Sequence, residues 1–139
     1  MEIKSFKVTV ERSDSSIVCN EVSFKVATPV DVIRIYREMR FHYPEIEEGD
    51  LIERLLALIR KDGIVYIATA GKRIVATMGF EYLSLLNDKR NDCMSSMWLT
   101  VHQGYVDHFL QMVLLNMARK KVDAENMMIK LNPKTAFLK

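Results

Sequence analysis

The chain has 139 residues, enough for one domain with a real core and too few for two ordinary ones. Apolar residues make up 49% and charged residues 27% of it, a globular rather than a disordered balance. Against 20 basic residues stand 18 acidic ones, a net charge of +2 with no basic block. Nothing therefore points to nucleic acid, and no apolar run has the length of a membrane span or a secretory leader. The expectation is a cytoplasmic protein, or one held in a particle assembled there. Its two cysteines, Cys19 and Cys93, match no metal spacing and read as free thiols.

Residues 4–10 (KSFKVTV) and 22–26 (VSFKV) alternate apolar and polar side chains, as half-buried strands do, and the polar ERSDSS between them suits a turn. A helix start follows. Thr28 can cap, Pro29 takes the first helical position without losing a hydrogen bond, and Asp31 adds negative charge to the first turn. Ile33, Tyr36 and Arg37 keep helical spacing until HYP at 42–44 ends the element. Asp50 with Glu53 reads as a capping box for a second helix, with Leu51, Ile52, Leu55, Leu56 and Ile59 as its apolar stripe. Gly63 is expected to close it as a left-handed cap. The β-branched runs 64–70 and 73–80, joined by Gly71-Lys72, predict an antiparallel hairpin. A third strand is expected over 94–101, then a helix with Val106, Phe109, Leu110, Val113 and Met117 on one face. A last strand over 126–131 and a short helix starting at Asn132-Pro133 finish the chain.

The order ββααβββαβ, in one domain over 1–139 with an extra N-terminal strand, argues for an α+β fold with a mostly antiparallel sheet flanked by helices. The β–α–β unit at the end adds one parallel pair through a right-handed crossover.

From residue 22 to about 138 these segments resemble the GNAT N-acetyltransferase superfamily. VSFKVATPVDVIRIYREM is similar to its first strand and helix, and DGIVYIATAGKRIVATMGF to its second and third strands, with Ala76 where a glycine is common. MWLTVHQGYVDHFLQMVLLNMARKK is similar to its fourth strand, loop and third helix. The resemblance implies a loop, Arg/Gln-x-x-Gly-x-Gly/Ala, whose bare amides cradle the pyrophosphate of acetyl-CoA. Here Val106 stands at the Arg/Gln position, Phe109 at the first Gly and Gln111 at the second small residue. Val106 and Phe109 are expected to face the core instead. The family's C-terminal strands, and the Tyr that often serves as general acid, are not found after NPKTAFLK. The 4–10 strand or a neighbouring subunit is expected to cover the sheet edge this leaves.

The leading expectation is therefore a GNAT-like structural or interaction protein without catalysis or cofactor. It would belong to a larger assembly such as a phage particle, and either self-associate or need a protein partner. The alternative is an active acetyl-CoA-dependent N-acetyltransferase with an atypical loop. Glu81 and Tyr82 are then the catalytic candidates, and Val101, Gly104, Tyr105, Val106, Asp107, His108 and Phe109 the cofactor-binding ones. His102 and His108 flank the loop but lack a third ligand, so no metal is expected and a surface-polar role is preferred. Cys93 and His102 lie too far apart on one strand to be taken as nucleophile and base. The acidic EIEEGD at 45–50 reads as a solvated loop with helix-start charge.

Overall fold

The computed structural model describes residues 4–11, 17–84, 92–102 and 108–132. The strands are β1 (Lys4–Glu11), β2 (Ile17–Val26), β3 (Gly63–Ala70), β4 (Arg73–Leu83), β5 (Cys93–Val101) and β6 (Met128–Lys130). The helices are α1 (Val32–His42), α2 (Glu48–Ala57) and α3 (His108–Ala124). The six strands form one sheet in sequential order, antiparallel up to β5, with β5 and β6 parallel across α3. The expected α+β order is the observed one.

Each face of the sheet has its own core. On one side Leu110, Leu114, Ala118 and Val122 of α3 pack on Phe24, Tyr66, Met78, Phe80 and Leu99. On the other, Ile35 and Met39 of α1 and Leu51 and Leu55 of α2 pack on Val65, Ile67, Ile74 and Trp98. Spacings of three and four along the helices, and of two along the strands, generate both surfaces.

Local chemistry explains the corners. Asp31 is fully buried where β2 turns into α1. It accepts a hydrogen bond from the Thr28 N–H at 2.9 Å and pairs with Lys25 at 3.0 Å and Arg34 at 2.9 Å. Burial pushes its carboxyl up, but the Thr28 N–H and the Lys25 and Arg34 cations outweigh that and hold it below the usual carboxylate range. The β3–β4 hairpin turns at Gly71 (φ 62°), where glycine carries no Cβ penalty. After α3, Asn126 takes φ 52° and the Met127 N–H reaches back to the Val122 carbonyl at 2.8 Å. This is a Schellman cap with asparagine as the left-handed residue.

Several expectations shift. The second helix begins at Glu48, so Asp50 lies in its first turn rather than at its cap. Gly63 is extended (φ −177°), because the helix runs into a π turn over Leu58–Asp62 and Gly63 opens β3. Glycine is needed there for space, since a Cβ would lie 2.0 Å from the Phe80 carbonyl oxygen. Ile33 is exposed, and the buried face of α1 runs through Val32, Ile35, Tyr36 and Met39. Phe109 does not face the core. It is 40% exposed, and Leu110 and Leu114 take the buried positions one residue round the helix. The extra strand β1 pairs with β2 at the opposite edge from β6, so it does not cover the edge that β6 leaves. The expected terminal helix lies outside the described residues.

Candidate functional site

The site is built around β5. Its register against β4 slips by one residue, from Gly79↔Trp98 to Phe80↔Ser96, so Met97 is bulged. A bulge turns two successive side chains to one side of a strand. Met97 and Trp98 accordingly both line a cavity of about 360 Å³ between β5, α1 and α2. Met39, Tyr43, Leu51 and Leu55 complete its apolar wall, and Asp50 and Arg54 stand among the lining residues.

The Trp98 ring is held by its face and by its nitrogen. It covers Gly79, where a Cβ would come within 2.2 Å of the indole. Its Nε1–H donates to Thr77 Oγ1 at 2.9 Å, and the Thr77 and Thr100 hydroxyls are 2.6 Å apart. All three side chains lie in the interior, where a satisfied polar chain holds geometry. Burial raises the Tyr43 phenol, which stays protonated and able to donate.

A second depression, about 480 Å³, shares Asp50, Arg54 and Leu58 with the cavity and adds Glu53, Asp62 and Glu81. Four carboxylates thus face one arginine, and Arg54 lies 3.9 Å from Glu81. Glu81 and Tyr82 do not converge. Glu81 lies by α2, whereas the Tyr82 ring carries the Lys121 ammonium of α3 at 5.9 Å. Alternation along a strand sends neighbours to opposite faces. Sequence reading missed the cavity wall, since its residues are scattered over three elements; the acidic run before α2 was its one visible sign.

β6 pairs with β5 only over Cys93–Ser95, and β5 continues to Val101 with no described strand beside residues 97–101. Beyond that point Asn132 N–H donates to Ser96 Oγ at 2.8 Å. Among the described residues no strand pairs with the outer backbone edge of β5 over residues 97–101.

Val101 is buried at the end of β5. Gly104, Tyr105, Val106 and Asp107 lie outside the described residues, as does the side chain of His108, the first residue of α3. Phe109 lines an open depression along α3 with Met112 and Arg119. His102 is not a surface residue. Its Nδ1 lies 3.1 Å from Glu38 Oε1, the oxygen that His42 Nε2 also meets at 3.2 Å. Cys93 starts β5 and His102 follows its end, about 30 Å away at strand rise. Burial raises the Cys93 thiol, as expected of an unreactive cysteine. Among the described residues no three His, Cys, Asp or Glu side chains are grouped so as to hold a metal. No described helix is long and apolar enough to cross a membrane.

No known family profile and no curated protein matches this sequence. Solved structures do match the fold. A possible acetyltransferase from Clostridium difficile 630 superposes with a TM-score of 0.66 at 19% identity, over 81% of this chain and 80% of that one. A ribosomal-protein-alanine N-acetyltransferase from Brucella melitensis biovar Abortus 2308 gives 0.66 at 14%, over 83% and 80%. A predicted acetyltransferase from Clostridium acetobutylicum, solved with acetyl-CoA, gives 0.64 at 13%, over 80% of each. With the element order, these likenesses establish that the chain has the GNAT-like fold of the acetyltransferases.

Proposed function

We propose that the protein is an acyl-CoA-dependent N-acyltransferase whose acceptor is a cationic amine with an apolar body. The observation that carries this reading is the shared stretch of β5. One edge of residues 97–101 has no strand beside it among the described residues, and Met97 and Trp98 of the same stretch wall the apolar cavity. A thioester laid along the edge and an amine lodged in the cavity would meet there.

The cofactor supplies an acyl carbon activated by sulfur. The chain's residues do the rest. The cavity takes the amine's apolar part, removing it from water. Asp50, Glu53 and Glu81 draw its ammonium to the rim, and Glu81 or Asp50 accepts the proton that frees the nitrogen lone pair. With a thioester bound, the nitrogen would form the amide bond as the carbon–sulfur bond breaks. The proton the nitrogen sheds would end on the sulfur, relayed by Tyr43, which we assign to give its own proton to the sulfur and take the nitrogen's in its place. Tyr82, on the far side of β4, has no part in this scheme.

The leading expectation from the sequence, a non-catalytic component of an assembly such as a phage particle, has no structural observation in its favour, and the likenesses favour the transferase that stood as its alternative. Its argument from Phe109 weakens, because that ring is not committed to the core. A protein partner or a second copy at the β6 edge remains compatible with the transferase reading and would show as a larger species in sedimentation.

Calorimetric titration with acetyl-CoA tests the proposal, followed by thiol release with an amine panel. Micromolar binding, lost in Gly104→Trp, and turnover of amines with an apolar body are expected. Asp50→Asn and Glu81→Gln should raise the amine KM more than they lower acetyl-CoA affinity. No heat with acetyl-CoA up to about 1 mM, together with no thiol release, would overturn it.

A further inference from the structure

The cavity is not the largest depression on the α1 side. Between α1 and the β3–β4 hairpin runs a groove of about 520 Å³ that shares no lining residue with it. Arg34, Arg37 and Phe41 come from α1, Lys72 and Arg73 from the hairpin, and Glu38 and His102 from beneath.

The charge state of this groove is unusual for a chain of net charge +2. Arg34 is already engaged, with Asp31 at 2.9 Å and the Lys72 carbonyl at 3.2 Å. The side chains of Arg37, Lys72 and Arg73 have no ion-pair partner among the described residues. Glu38 is the acid that lines the groove, and its Oε1 already meets both His42 and His102. Three exposed cations thus line one groove whose only described carboxylate, Glu38, is engaged by the two histidines, and an anion would relieve their mutual repulsion. Two of them are guanidiniums, whose forked donors match phosphate oxygens. Beside them Phe41 is 61% exposed, a ring much larger than a solvent-facing helix position requires. His42 and His102 pack against it, at 5.6 and 5.9 Å between ring centroids, and steady it.

We propose that this groove binds a nucleotide, with its phosphates on Arg37, Lys72 and Arg73 and its base stacked on Phe41. An aromatic ring beside a cationic groove is the arrangement that holds bases without reading their edges. The site goes beyond the transferase reading, and its presence does not depend on turnover.

The test is calorimetry on the full chain at low salt with ADP, inorganic pyrophosphate and adenosine as probes. ADP should bind, pyrophosphate should bind more weakly, and adenosine should give no saturable heat. The double variant Arg37→Glu/Arg73→Glu should weaken ADP binding at least about tenfold. The matched reversal Arg60→Glu/Lys61→Glu, at exposed positions elsewhere, should leave it unchanged. Phe41→Ala should weaken ADP but not pyrophosphate, and circular dichroism should show every variant folded. ADP binding should persist in saturating acetyl-CoA. Absence of ADP binding, equal losses in the two double variants, or displacement of ADP by acetyl-CoA would each overturn the assignment.

Discussion

The two sides of the sheet carry different kinds of interior. On the α3 side the packing is apolar, and Leu110, Leu114 and Ala118 are fully buried. Its conspicuous polar atom there, the Tyr66 hydroxyl, has no hydrogen-bond partner among the described residues. Burial first, then the nearby Tyr82 and Glu125, push that phenol well above its ordinary range. On the α1–α2 side the interior holds Asp31 with its cations, the Trp98–Thr77–Thr100 chain and the Glu38 carboxylate between two histidines. The cavity, the acidic rim and the cationic groove are also there. One face is a support, and the other trades packing for polar groups held in place.

The sharpest way to break this contrast is a pair of leucines, both fully buried. Leu114→Ala should cost about 4 kcal/mol by urea titration, because α3 leaves no space for the core to have been loose. Leu55→Ala should cost about 3 kcal/mol, because Leu55 already borders a void. Equal losses would remove the distinction between a packed and a hollow side.

Next is Asp31→Asn, expected to cost about 2 kcal/mol at neutral pH, with Lys25 and Arg34 partly exposed to solvent screening. Its pH dependence has a definite sign. Because the folded pKa lies below the unfolded value of about 3.9, the stabilisation is complete above that pH. It is lost as pH falls through the lower folded value. The Asn variant should therefore show a flatter acid limb in unfolding curves, and an unchanged limb would place the acid sensitivity elsewhere.

The smallest expected effect belongs to the α3 side. Tyr66→Phe removes a hydroxyl with no described partner and should leave stability unchanged or raise it by about 1 kcal/mol in thermal melts. A marked loss would mean that the hydroxyl is satisfied by a group in the undescribed segments.

Much of this architecture is legible in the sequence. Period-two runs mark β1 and β2, β-branched apolar runs with the Gly71 turn mark β3 and β4, and a capping run at Thr28-Pro29-Val30-Asp31 marks the entry to α1. Single-residue phase is harder to read. At the start of α3, Phe109 and Leu110 are both large and apolar, and periodicity cannot say which one the sheet will bury. Gly63 was legible as a glycine with a reason, but steric approach to Phe80, not a left-handed turn, is that reason. The site was least legible. Its cavity joins side chains from α1, α2 and β5 that no local pattern connects, and the cationic groove needs the hairpin folded back on α1 before its charges meet.

The bulge at Met97 has a consequence for how this protein tolerates change. The nine residues of β5 lie opposite eight of β4, from Ala76 to Leu83. Removing most residues of β5 would slide every later side chain to the wrong face. Removing Met97 would not. Ser96 would then precede Trp98 in regular alternation, with the partners of both preserved. The strand thus carries one supernumerary position, and it is the one that walls the cavity. A deletion there should spare the fold and spoil the pocket, an outcome that no scan of substitutions would reach.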